Sequence, residues 1–158
     1  IRVLGHSVLE MKMDEARRLR DSTFGYLFTH PHLLPSFTVA ENIAMPCLRI
    51  CKSSIEVARE RVSEVLAAAG LDVSCANVPV ANLDEECQWR VAFARAVVHN
   101  PKILVAVSPT APFLLSLAKS HAQANGTAVL WNSGSEILKQ ECGRGSTPVE
   151  RRIVLEAP

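Results

Sequence analysis

With 158 residues, 48% of them apolar, and a net charge of +1, the chain has the profile of a single globular domain and not of a disordered or fibrous protein. A chain of this length buries roughly 70% of the surface it would expose unfolded, so it is expected to fold without disulfides or metal. Charges of both signs are interspersed with no run of five alike, which excludes the electrostatic footprint of a binder of nucleic acid or of an anionic membrane surface and leaves proteins as the expected partners.

The five cysteines, Cys47, Cys51, Cys75, Cys87 and Cys142, are odd in number and irregularly spaced, which suits reduced thiols in a cytosol-like compartment. No apolar run reaches the 18 or so residues of a membrane span. The first residue is Ile1 and not Met, which fits a processed or cut N-terminus; removal of a targeting peptide would place the chain in an organelle.

In chain order, Ile1 to Leu4 reads as a short strand running into a turn at Gly5, and Val8 to Arg20 has loosely helical spacing. Phe24 to Phe28 has the aromatic character of a strand, followed by a loop with Pro31 and Pro35. Thr38 to Ile50 predicts a helix broken at Pro46. Ser53 and Glu56 have capping-box spacing ahead of a helix that stops at Gly70 and places Ile55, Ala58, Val62, Val65, Leu66 and Ala69 on one face. Its other face carries Arg59, Glu60 and Glu64, a solvated stripe with no assigned chemistry.

A further helix runs from about Asp84 to His99, with Val91, Ala94 and Val98 inward, and ends at Asn100-Pro101. Ile103 to Val107 is a continuous apolar run, the pattern of a parallel strand buried on both faces. Pro112 opens a helix closed by Asn125-Gly126, and Thr127 to Trp131 is a second buried strand. Ser133 and Glu136 repeat the capping spacing, and Arg152 to Leu155 reads as a last strand. Strands alternating with helices predict an α/β fold with a parallel sheet and an all-helical insert between about residues 38 and 80.

Three stretches together resemble the nucleotide-binding subunits of ATP-binding-cassette (ABC) transporters, especially the lipoprotein-release, cell-division and macrolide-export group. FGYLFTHPHLLPSFTVAENIAMP, residues 24–46, is similar to the Q-loop and the entry to the helical subdomain. LDEECQWRVAFARAVVHNP, residues 83–101, is similar to the signature motif and its helix, and KILVAVSPT, residues 102–110, to the Walker B strand. The resemblance implies a P-loop-NTPase-like sheet flanked by helices. It also implies a single incomplete domain over residues 1–158, with a helical subdomain at about 38–98.

The same resemblance places family positions on residues of different chemistry. The Q-loop glutamine falls at Thr29, the signature Ser-Gly-Gly at Asp84, Glu85 and Glu86, and the Walker B aspartate and catalytic glutamate at Val107 and Ser108. The D-loop aspartate falls at Leu114 and the switch histidine at Gly134, and the phosphate cradle G-x-x-x-x-G-K-[ST] occurs nowhere in the 158 residues. A helix N-terminus with free N–H groups attracts phosphate, whereas carboxylates there cap the helix themselves. A carboxylate about 4 Å from a phosphate, at an effective dielectric near 20, repels it by about 4 kcal/mol. Val107 offers magnesium no ligand, and Ser108 is no general base.

The expectation is therefore a non-catalytic subunit, not an enzyme, holding no cofactor and acting by protein–protein contact at a membrane face. Its expected partners are a membrane protein and an intact ABC ATPase, with Thr38, Met45, Pro46 and Leu48 as the contact surface. Two alternatives stand beside it: one half of an asymmetric transporter ATPase dimer, and a structural scaffold in a large organellar or membrane complex.

Other features read as structure. His30-x-His32 and Cys47-x-x-x-Cys51 lack the second ligand pair of a zinc site. Trp89 and Trp131 read as packing residues. Cys87, in the first turn of a helix, is the most reactive thiol expected, with Glu86 opposing that effect.

Overall fold

The computed structural model describes residues 2–3, 5–7, 10–51, 54–107 and 109–132. Its N-terminal hairpin pairs β1 (Arg2–Val3) with β2 (His6–Ser7) antiparallel, around Gly5 at φ +83°, a turn conformation that glycine adopts without steric cost. The sequence shows the first strand and the turn but not the return strand. Helix α1 (Met13–Thr23) follows, its Glu15 carboxylate accepting from the Lys12 backbone N–H at 3.2 Å.

Strand β3 (Phe24–Leu27) is joined to β4 (Ile103–Val107) through three helices, α2 (Val39–Cys51), α3 (Ile55–Ala68) and α4 (Glu85–Val97), with 3-10 turns at Val73–Asn77 and Val80–Asn82. Helix α5 (Phe113–Asn125) then leads to β5 (Ala128–Asn132). Gly126, at φ +65°, ends α5 as the left-handed cap that the Asn-Gly pair predicts. The parallel sheet runs β3-β4-β5, pairing Phe24 with Ile103 and Ile103 with Ala128. The architecture is α/β, a parallel sheet flanked by helices.

Parallel pairing points aligned side chains the same way. Gly25, Leu27, Leu104, Ala106, Val129 and Trp131 form one buried face, while Phe24, Tyr26, Ile103, Val105, Ala128 and Leu130 on the other are half-buried. Burial of β4 and β5 on both faces is thus corrected. Helix α4 lies against β3, and α5 against β5 and α4; nothing among the described residues buries the second face as completely.

Helix α4 is the centre of the core, with Trp89, Val91, Ala92, Phe93, Ala94, Ala96 and Val97 all buried. Its apolar residues go nearly all round the helix, as a helix enclosed by neighbours requires. Helix α2 corrects a second expectation, because it continues through Pro46 to Cys51. Proline inside a helix removes one hydrogen bond at a cost of about 3 kcal/mol. Val39, Ile43 and Cys47 are each fully buried from α2, and such side chains contribute about 1.5–3 kcal/mol apiece, which outweighs the break.

Helix α3 is capped by Ser54, whose Oγ accepts from Val57 N–H at 3.4 Å, and not by Ser53, which lies outside the described residues. Ala58, Val62, Leu66 and Ala69 face inward as predicted, but Ile55, on the first turn of the helix, is 61% exposed. The cap at Ser133 and the strand predicted at Arg152 to Leu155 fall outside the described residues.

Candidate functional site

Ligands of open parallel sheets sit beyond the carboxyl ends of the strands. There β3 and β4 bring two of the singled-out residues together: the Thr29 hydroxyl donates to the Val107 carbonyl at 3.4 Å, and Val107 is 38% exposed. Ser108 and Gly134 lie outside the described residues. Leu114 is fully buried in α5 and is a core residue, with no surface to present to a partner.

At the N-terminus of α4 the three acidic residues do different things. Asp84 caps the helix, its Oδ1 accepting from Cys87 N–H at 2.7 Å, and this bond holds its carboxyl below the usual range. Glu86 turns away to Arg90, whose Nη2 and Nε donate to it at 2.7 and 3.1 Å. Glu85 is exposed. The expectation that all three carboxylates occupy the helix N–H groups is corrected: one does, and a second is already met by a guanidinium. Bare-charge repulsion of an incoming phosphate is overstated to that extent.

Arg90 itself is anchored, donating to the Ala69 carbonyl at 2.7 Å and lying 4.9 Å from the Phe113 ring centre. Cys87 is also corrected. Burial first, then the hydrogen bond and charge of Asp84, push its thiol above the ordinary range, so it is a poor nucleophile despite its place in the first turn.

Between these two places runs the segment from Thr29 to Thr38. Arg95 of α4 donates to the carbonyls of His32 at 2.6 Å and Pro31 at 2.7 Å. Asn42 of α2, fully buried, accepts from Leu34 N–H at 2.8 Å and donates toward the Leu34, Phe37 and Thr38 carbonyls. Sequence reasoning missed both. Their signal was a single polar side chain inside an apolar helix stretch, Arg95 within Val91 to Val98 and Asn42 beside Ile43.

The proposed contact residues divide between two grooves flanking α2. Pro46 lines a groove of about 530 Å³ with Arg20, Asp21, Tyr26, Arg49 and Arg95. Thr38 and Leu48 line one of about 580 Å³ with Ile55. Met45 is half-buried and lines neither of these. Arg20 and Arg49 share Asp21, at 3.0 and 3.3 Å, so the first groove is rich in guanidinium groups.

Two histidines are packed into this frame. His99 sets Nε2 3.0 Å from the Phe24 carbonyl, and His121 lies edge-on to Phe93 with centroids 6.1 Å apart. His99 Nδ1 and His121 Nε2 are buried without a partner among the described residues. Burial lowers the pKa of both. The unfolded chain, with histidine pKa about 6.5, then binds protons that the folded chain refuses. Their contribution to stability is fully present above about pH 6.5 and is lost as pH falls below it. Melting temperature is expected to drop between pH 7.5 and 5.5, with the drop reduced in a His99→Gln/His121→Gln variant; an unchanged drop would contradict this.

Residues 1–111 match the ABC transporter family. This chain belongs to the ABC transporter family. The lipoprotein-releasing system ATP-binding protein LolD of Bdellovibrio bacteriovorus is 42% identical over 106 residues, covering 67% of this chain and 47% of that protein. The methionine import ATP-binding protein MetN 2 of Pseudomonas entomophila is 33% identical over 162 residues, covering 98% of this chain and 48% of that protein. Among solved structures, the dimeric ATP-binding cassette MJ0796 in a post-hydrolysis state bound to ADP and Pi superposes with TM-score 0.73 at 27% identity, covering 86% of this chain and 62% of that one.

The chain spans about half the length of these two curated ABC relatives. The expectation of a non-enzyme is overturned by the same likenesses: both relatives are ATP-binding proteins of transport systems, and the solved cassette was captured after hydrolysis.

Proposed function

We propose that this chain serves as an ATPase-type subunit of an ABC transporter, sharing its hydrolytic site with a second cassette and meeting a membrane-embedded permease through the grooves beside α2. The observation that carries the reading is the contact between Thr29 and Val107 at the carboxyl ends of two parallel strands, within a sheet that superposes on a dimeric cassette holding ADP and Pi.

Thr29 and Val107 then stand at the nucleotide face, and Asp84 to Glu86 at the helix end turned toward the second cassette. The side chain of Val107 is no metal ligand, so the magnesium-binding carboxylate of the working site comes from that second cassette. The pair is asymmetric, and its ATP turnover belongs to the assembly. Pro46 with Arg20 and Arg49 suits a permease segment bearing carboxylates; Thr38 and Leu48 line the other groove beside α2. Neither function requires this chain to cross the membrane, and no helix among the described residues is long and apolar enough to do so.

The test is nucleotide trapping by vanadate in the purified transporter containing this chain, its permease and the second cassette. One trapped nucleotide per cassette pair is expected. Two trapped nucleotides would show that this chain completes its own site; none would remove the ATPase reading.

A further inference from the structure

His99 follows the end of α4 and lines the groove that contains Pro46. Its ring is held in one tautomer. The Phe24 carbonyl, 3.0 Å from Nε2, can only accept, so Nε2 carries the hydrogen and Nδ1 keeps a lone pair. Nδ1 is buried and meets no donor among the described residues. A buried acceptor without a donor costs stability; in the wall of this groove it is also the atom at which the ring takes up a proton.

The charges around it come from each neighbouring element. Helix α1 supplies Arg20 and Asp21, α2 supplies Arg49, β3 supplies the Tyr26 phenol and α4 itself supplies Arg95. Arg61 of α3 donates to the carbonyl of the adjacent Val98 at 3.5 Å. Among the described residues that line the groove, Asp21 is the sole carboxylate, and Arg20 and Arg49 already share it. Burial is the main cause lowering the His99 pKa; the Phe24 hydrogen bond opposes it, Arg49 adds to it and Asp21 opposes it. Burial and the surplus of guanidinium groups together disfavour an imidazolium.

We infer that His99 is a proton-operated element of this groove: uptake of a proton at Nδ1 and docking of a carboxylate-bearing partner segment favour one another, so the groove holds that segment more tightly as pH falls. The inference rests on the proposed reading, under which the groove receives such a segment. A carboxylate brought among Arg20, Arg49 and His99 supplies negative charge that the groove's own residues lack, and a nearby opposite charge favours the charged imidazole. The coupling is reciprocal, because what raises proton affinity in the bound state raises partner affinity in the protonated state by the same factor. Its sign opposes that of folding: protonation of His99 lowers stability and strengthens docking.

The probe is the peptide acetyl-Asp-Phe-Asp-amide, whose carboxyls stay ionised above about pH 5. Its binding to the full chain is measured at pH 6.0 and 8.0, at equal ionic strength, from the NMR shifts of the Gly25 and Tyr26 amides. About fivefold tighter binding at pH 6.0 is expected. His99→Gln, whose amide can still donate to the Phe24 carbonyl, should bind equally at the two pH values. His121→Gln, altered at a histidine that does not line this groove, should keep the difference. Equal binding by the parent at both pH values, or the same difference persisting in His99→Gln, would overturn the switch and leave the groove assignment standing. Absence of binding at either pH would remove both. Nucleotide takes no part in this measurement, so its outcome is independent of the trapping experiment.

Discussion

Gly25→Ala is expected to leave most of the chain unfolded. Gly25 lies on the buried face of β3, where it meets the last turns of α4. An added Cβ would overlap the Ala96 carbonyl oxygen, with Pro101 Cγ at 3.0 Å and the Ala96 carbonyl carbon at 3.1 Å. Two of those three atoms are backbone, so no side-chain rotation relieves them. Strand and helix must move apart, and α4 is the element around which the core is built. Overpacking in a close-packed interior costs about 1–3 kcal/mol when side chains can adjust; here the loss should exceed that range, against a total stability of about 5–15 kcal/mol. Gly126→Ala is the contrast, since no atom lies within 4 Å of its added Cβ and only the left-handed backbone opposes it, for about 1 kcal/mol. Urea denaturation followed by circular dichroism compares the two, and a near-parental midpoint for Gly25→Ala would show that β3 does not press on α4.

Trp89→Ala is the second large effect. Trp89 is 2% exposed on α4, one turn before the fully buried Phe93. Truncation of a buried tryptophan to alanine costs about 3–5 kcal/mol through lost transfer energy and the cavity left behind. Trp89→Phe keeps an aromatic ring in the same space and should cost about 1–2 kcal/mol. Urea midpoints measured by far-ultraviolet circular dichroism, which does not depend on the removed fluorophore, give both values. A loss below about 1 kcal/mol for alanine would mean that the indole packs less than its burial indicates.

What the sequence made legible depended on how local the cause was. Strands β3 to β5 and helices α3 to α5 were readable because periodicity, Asn-Pro and Asn-Gly punctuation are properties of neighbours along the chain. Pro46 misled because its local cost is overcome by Val39, Ile43 and Cys47 packing against helices distant in sequence. The half-buried second face of the sheet was hidden for the same reason: an apolar run records that a strand is apolar, not which neighbour covers it.

At the candidate site, the placement of Thr29 beside Val107 follows from strand register, which the order of the three matching segments anticipated. The separate fates of Asp84 and Glu86 did not show, since three adjacent carboxylates look equivalent until one finds an N–H and another finds Arg90. The mistaken expectation of a non-enzyme had the same origin. It weighed residue types at individual positions, whereas membership in the family is carried by the pattern over residues 1–111.

The parallel pairing of β3 with β4 has a kinetic consequence. Thr29 and Val107, which touch, are 78 residues apart in sequence, and all of α2, α3 and α4 lies between them. Closing so long a loop costs entropy before any strand contact compensates for it, while α2 and α3 find each other across a few residues. The helices should therefore assemble first and, by folding up the intervening chain, bring the two strand ends near one another; sheet formation is then the late, slow event. Destabilising changes confined to the β3–β4 ladder would accelerate unfolding and leave the rate of folding nearly untouched.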